Sequence, residues 1–196
     1  MLDIRIFYPN GKAVQFPVEK GSCASASTLL QLMADYLGIA EEVVSDSLGL
    51  WMVSPLLEIQ LKPYHVAYEV HSKWALFLRT FTEASDEQIA LDEPLLVIRR
   101  NFLLTVEREL HYIEQDYERL TEVLYWNAKE EYMNGRYLVD LDTAIKLAAL
   151  QMAVEFGPYE GDVGAMELIR WVYRVGRRSA CKAFLLLWSI SKFKCL

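Results

Sequence analysis

Three histidines, three cysteines and two closely spaced carboxylate pairs are the residues of this 196-residue chain that could do chemistry. A zinc site needs ligands converging at about 2.0–2.3 Å, usually supplied by spacings such as H-E-x-x-H or C-x-x-C. His65, His71 and His111 are scattered, and Cys23, Cys181 and Cys195 form no C-x-x-C, so no metal is expected. No Ser, Cys or His falls in a nucleophile motif, and G-x-S-x-G does not occur. Asp140 and Asp142 precede a helical pattern, where a carboxylate serves as a cap for free backbone N–H groups rather than as an acid or base. Glu107 and Glu109 fall on what reads as a strand-like linker, whose alternate residues share a side. Gly157, Gly161 and Gly164 follow a helix, not a strand, and lack the Lys and Ser/Thr of a phosphate loop, so they read as a helix stop plus turn. The chemistry-bearing residues therefore predict no catalytic apparatus and no cofactor, and point to a binding protein.

Charge narrows the class of partner. The formal net charge is −7, and residues 165–196 hold seven Lys/Arg against one acid, leaving −13 on the rest. Nucleic-acid binding needs a clustered basic face, which the first 164 residues lack, so no nucleic acid is expected. In the basic C-terminal segment Trp171, Phe184, Trp188 and Phe193 interleave with Arg174, Arg177, Arg178, Lys182, Lys192 and Lys194. Such a mixture suits an anionic membrane surface or an acidic partner. The competing reading is that Leu168, Val172 and Val175 complete a helical lobe while the cations bind its own acidic surface. An odd cysteine count without a framework fits a reducing compartment. The N-terminus alternates like a strand and has no signal-peptide core, and the apolar run Ala183–Ile190 is too short to span a bilayer. Leu2 is not a myristoylation site and Cys195 is not a prenylation site, so a cytoplasmic chain is expected.

The elements that would position a binding surface come in two kinds. Leu2, Ile4 and Ile6 alternate with Asp3, Arg5 and Phe7, and Pro9-Asn10-Gly11-Lys12 signals a tight turn through the positive φ values Asn-Gly accepts. Val14, Phe16 and Val18 return as a second strand. Ser25 or Ser27 caps a helix that carries Leu29, Leu32, Met33 and Tyr36 on one face and stops at Gly38. Leu48–Val53 and Leu57–Leu61 read as two strands, with Trp51, Leu57, Ile59 and Leu61 burying against Leu29, Leu32 and Met33. Ser72–Phe81 reads as a short helix with Trp74, Leu78 and Phe81 on one side, and Leu95–Ile98 closes the sheet. The order ββ–α–ββ–α–β is that of a ubiquitin-like β-grasp. A linker is expected over Asn101–Ile113, with apolar Phe102, Leu103, Leu104 and Val106 packed.

Helical period then takes over. Asp116–Asn134 carries Leu120, Val123, Leu124 and Ala128, and stops at Asn134-Gly135. Asp140 or Asp142 caps a helix apolar on two faces, Ile145, Ala149, Met152 and Phe156 on one, Leu147, Leu150 and Val154 on the other. Gly157-Pro158 ends it, and Asp162–Val175 reads as a further amphipathic helix.

Several stretches together carry a family resemblance. They are Leu50–Pro63 with Tyr64-His65 and Trp74, Asp92-Glu93-Pro94 and Arg99-Arg100-Asn101, then Ala128-Lys129, Gly135-Arg136-Tyr137 and Leu147–Tyr159. The chain resembles the FERM family over roughly residues 1–160. The resemblance implies an α+β fold: a ubiquitin-like β-grasp lobe over residues 1–101 and an all-α lobe of the acyl-CoA-binding-protein shape over 102–176; residues 177–196 read, from their composition, as a basic, aromatic tail. The resemblance fades after about Gly161, which implies a partial second lobe and no third lobe, an incomplete FERM module. It also implies a non-enzymatic scaffold or adaptor that binds the cytoplasmic tail of a membrane protein at the inner face of the plasma membrane. The partner classes implied are rhomboid-pseudoprotease (iRhom) tails and Wnt-receptor signalling. The alternative is a small-GTPase effector. GTPase switch regions are acidic, so binding would favour the cationic edge near Arg5, Lys12 and Lys20.

Overall fold

The computed structural model describes residues 1–115, 117–136, 139–156 and 184. Two compact units divide between Leu104 and Thr105. In the first, strands β1 (Leu2–Phe7) and β2 (Ala13–Val18) form an antiparallel hairpin. Tyr8 O accepts from Gly11 N at 2.9 Å and Lys12 N donates to Asn10 Oδ1 at 3.0 Å. Only Gly11 has a positive φ, 79°, so the turn is a three-residue connection with a glycine bulge, not a two-residue Asn-Gly turn with both residues left-handed.

Ser25 Oγ accepts from Thr28 N at 3.2 Å and caps helix α1 (Ala26–Leu37), which Gly38 ends at φ 67°. The buried face of α1 is Ala26, Leu29, Leu30, Met33, Ala34 and Leu37; Leu32 is half-buried and Tyr36 half-exposed. The stripe is thus turned from the expected Leu29–Leu32–Met33–Tyr36 line, because the 3.6-residue repeat links 26, 30, 33 and 37. Helix α2 (Glu41–Ser47), which the sequence pattern left unread, leads into β3 (Leu48–Val53).

Strand β4 (Glu58–Gln60) pairs with β3 in the register Trp51↔Gln60, Met52↔Ile59. Residues opposite each other share a face. Ile59 therefore sides with Met52 and Leu50, both buried, while Trp51 stands on the other face beside Gln60. The expected cluster of Trp51 with Leu57, Ile59 and Leu61 is corrected accordingly: Leu61 is buried, Leu57 and Ile59 are half-buried, and Trp51 donates its indole N–H to Arg100 O at 3.3 Å.

The expected helix at Ser72–Phe81 is two helices, α3 (Ala67–Ser72) and α4 (Trp74–Phe81), meeting at Lys73. Trp74 and Leu78 are buried as expected, but Phe81 is 65% exposed and stacks on Phe77. Helix α5 (Asp86–Leu91) opens on a Ser85–Gln88 capping box, and β5 (Leu95–Arg100) enters the centre of the sheet, parallel to β1 and antiparallel to β3. The strand order β2-β1-β5-β3-β4 is the β-grasp order, with Ile6, Leu29, Met33, Leu48, Leu50, Leu78 and Ile98 wholly buried.

In the second unit the expected linker is largely helix. Thr105 Oγ1 accepts from Arg108 N and caps α6 (Val106–Glu114). Glu107 and Glu109 therefore lie about 200° apart around a helix rather than on one side of a strand; Glu107 is exposed and Glu109 buried. Of the apolar residues before it, Leu104 is buried, whereas Phe102 and Leu103 are each 76% exposed. Helix α7 (Glu118–Met133) buries Leu120, Val123, Leu124 and Ala128 as its period requires. Asp140 Oδ1 accepts from Thr143 N at 2.7 Å and caps α8 (Leu141–Phe156). That helix buries Leu147, Leu150, Ala153 and Val154, while Ile145 and Met152 of the expected second apolar face stay almost half exposed. The expected helix stop at Gly157-Pro158 and the helix over 162–175 lie outside the described residues.

Candidate protein-interaction surfaces

Strands β2 and β4 are the edges of the sheet. Tyr8 N donates to Lys12 O at 2.7 Å, so the alternation of an antiparallel ladder turns the backbone groups of Ala13, Gln15 and Pro17 away from β1. Pro17 sits where its missing N–H costs no ladder bond. Lys12 and Lys20 are exposed at the two ends of β2, and Arg5 is exposed on β1 opposite Gln15. Among the described residues none of the three enters an ion pair. Asp3 and Glu19 stand beside them in sequence, and Asp3 accepts from Gln15 Nε2 at 2.9 Å, so this edge is of mixed charge.

A second surface lies where α3 meets α4. Val66, Val70 and Phe77 form the apolar floor of a groove of about 290 Å³, walled by Tyr64 and His65 and flanked by Glu69 and Lys73. Tyr64 is 69% exposed; the edge of its ring meets His65 at 4.9 Å, and Lys62 Nζ lies 5.9 Å from its centroid. The Phe77–Phe81 stack, with centroids 6.4 Å apart, continues the apolar surface along α4. The sequence pattern missed this groove because α3 was not read as a helix. The aromatic pair at an i, i+4 spacing, Phe77 and Phe81, was its one legible signal.

The cations Arg174, Arg177, Arg178, Lys182, Lys192 and Lys194 lie outside the described residues. Phe184, from the same segment, is described: it is helical, wholly buried, and meets Tyr125 edge-on at 5.1 Å. Among the described residues no cluster of His, Cys, Asp or Glu could hold a metal, and no helix is long and apolar enough to cross a membrane.

A ubiquitin-like sheet lobe followed by a helical lobe is the order found in the FERM class of scaffold and protein-binding modules, and residues 110–192 match the FERM central domain. More particularly, the chain is similar to FERM domain-containing protein 8. It is 37% identical to the mouse protein over 158 residues, covering 81% of this chain and 33% of that relative. The chain thus spans about a third of the length of the curated relatives it matches. Solved structures agree on the fold. The Dictyostelium myosin VII MyTH4-FERM MF2 domain superposes with a TM-score of 0.69 at 15% identity, covering 97% of this chain and 41% of that one. The Drosophila Merlin FERM and C-terminal domain complex gives 0.61 at 15% identity, covering 96% and 65%.

Proposed function

We propose that this chain is the non-enzymatic docking part of a FERM scaffold, holding the cytoplasmic tail of a membrane protein in the cytoplasm at the inner face of the plasma membrane. The observation that carries the reading is the similarity to FERM domain-containing protein 8 across 81% of the chain, through sheet lobe and helical lobe alike. On that basis the tails of iRhom pseudoproteases and Wnt-receptor signalling proteins are the partner classes. The cations of residues 177–196, with Arg174, add attraction to an anionic leaflet, each worth about 1 kcal/mol near the surface.

A second reading has one observation in its favour. The open β2 edge, bracketed by Lys12 and Lys20 with Arg5 alongside, offers backbone donors and positive charge to an acidic strand, as a small-GTPase effector requires. The deciding experiment is a pull-down of the purified chain against iRhom tails, Wnt-receptor tails, GTP- and GDP-loaded small GTPases, and anionic liposomes. Saturable tail binding that survives Lys12→Glu and Lys20→Glu supports the scaffold reading. GTP-dependent binding lost in those variants replaces it with the effector reading.

A further inference from the structure

We propose that the groove between α3 and α4 is a docking site for a short acidic peptide segment of another protein, anchored by one bulky apolar side chain. The inference deepens the scaffold reading and rests on it. The floor is apolar and already shaped: Val70 is buried, and Val66 and Phe77 are half-buried beside it. A volume of about 290 Å³ lies at the small end of binding pockets, which suits one large side chain rather than a whole ligand. Tyr64 at the groove wall is 69% exposed, and on α4 Phe81, stacked on Phe77, and Leu76 are 65% and 60% exposed, apolar surface that water covers at a cost. Contiguous apolar surface of this kind, rimmed by charge, marks a protein interface.

Charge selects the occupant. Between Leu61 and Phe81 the chain carries three cations and a single acid, Glu69, whereas the remainder of Met1–Leu104 carries five cations and twelve acids. With Arg79 paired to Asp86, the groove's rim is Lys62 and Lys73 against Glu69, a small positive excess on an otherwise acidic lobe. Arg79 is engaged by Asp86 at 3.2 Å, but Lys62 and Lys73 enter no ion pair among the described residues. Carboxylates flanking an apolar anchor would meet Lys62 at the Tyr64 wall and Lys73 at the helix junction. The chain's own segment 165–196, with seven cations and one acid, is mismatched to that rim. An anionic bilayer is mismatched to the acidic lobe around it.

The test is a random-peptide selection against the full chain, with affinities of enriched peptides measured by fluorescence anisotropy. Tyr64→Ala and Lys73→Glu are the groove variants, both at exposed positions, with unchanged thermal midpoints as the folding control. Lys12→Glu on the β2 edge is the comparison. Enriched peptides should carry Asp or Glu around a Trp, Phe or Leu, and lose about tenfold in affinity on each groove variant but none on Lys12→Glu. Enrichment of basic or charge-free peptides, or no enrichment at all, overturns the proposal, as does binding indifferent to the groove variants. A concentration-dependent dimer in light scattering that Tyr64→Ala dissolves would assign the groove to a second copy instead. If receptor tails bind the full chain and bind both groove variants equally well, the groove proposal fails while the scaffold reading stands. If no tail binds but acidic peptides still require Tyr64 and Lys73, the scaffold partners are wrong and the groove remains.

Discussion

The indole N–H of Trp74 donates to Asp92 Oδ2 at 2.8 Å, fastening helix α4 to the chain entering β5. Trp74 is only 3% exposed, so its one polar atom has no route to bulk water. Removing the acceptor leaves a buried donor unsatisfied. Asp92→Ala should lower unfolding stability by about 1–3 kcal/mol in urea titration, whereas Asp92→Asn, which keeps a carbonyl oxygen in reach, should recover most of the loss. In Trp74→Phe the Asp92→Ala effect should nearly vanish, because the donor is already gone.

Gly49 is empty because Gln60 uses the space. A Cβ at Gly49 would lie 2.7 Å from Gln60 Nε2, the atom that donates to Asn101 Oδ1 at 2.9 Å. Gln60 Oε1 in turn accepts from Phe102 N at 2.9 Å, and Asn101 Nδ2 donates to Asp46 O at 3.0 Å. Gly49→Ala displaces a flexible side-chain end rather than backbone, so the sheet survives and the clasp does not. The expected result is a stability loss of about 1 kcal/mol and faster hydrogen exchange at the Phe102 amide. Gln60→Ala should reproduce the faster exchange with Gly49 in place. Unchanged exchange at Phe102 in both variants would remove the clasp from the account.

Strand alternation, the Asn-Gly turn and the Gly38 stop made the β-grasp legible in the sequence, since each rests on contacts local to a few residues. Faces were harder. Trp51 and Ile59 look alike as apolar strand residues, and only the register Trp51↔Gln60 separates them onto opposite sides. Helices α2, α3 and α5 run six or seven residues, too short for a 3.6-residue period to declare itself. The linker over 101–113 misled because Phe102, Leu103, Leu104 and Val106 mimic a packed strand, while Thr105 gave the real signal, a cap. The groove was illegible for the same reason: Val66 and Val70 of its floor come from α3 and its N-cap and Phe77 from α4, and neither part is unusual alone.

Lys129 on α7 and Glu155 on α8 form an ion pair, and Lys129 Nζ also lies 5.0 Å from the centroid of the Trp126 ring. The hydrogen bond from Lys129 holds the Glu155 carboxyl below its ordinary value, against a burial effect in the opposite direction. A carboxylate with a depressed folded-state pKa stabilises the fold above its unfolded value and loses that contribution as pH falls through the folded one. The pair, largely shielded at Lys129 and less so at Glu155, should be worth about 1 kcal/mol. Urea unfolding of wild type and Glu155→Gln should therefore differ by a constant amount near neutral pH. The difference should shrink below pH 4.5, the ordinary carboxyl value, as the charge is lost. A difference that persists at pH 2 would mean that packing of the side chain, not its charge, is responsible.

Phe184 meets Tyr125 edge-on at 5.1 Å and 79°, and both side chains are wholly buried. This contact separates two accounts of the basic C-terminal segment: a surface element for an anionic membrane, or part of the helical lobe's own core. Aromatic truncation in a core costs about 3–5 kcal/mol through lost transfer energy and the cavity left behind. Phe184→Ala should thus destabilise the chain by that amount in thermal or urea unfolding. Lys192→Glu with Lys194→Glu, which removes charge while Phe184 and Tyr125 keep their side chains, should leave stability within about 0.5 kcal/mol. The same charge variant reports the membrane account when floated with anionic and neutral liposomes. Stability lost in Phe184→Ala, with flotation unaffected by the lysine changes, would make the segment structural. Flotation abolished by the lysine changes, with Phe184→Ala as stable as wild type, would make it a membrane element and place the Tyr125 contact outside the folding core. Both effects together would mean that one aromatic anchors the segment while its cations remain turned to the leaflet, a division of labour that interleaved Phe and Lys residues permit.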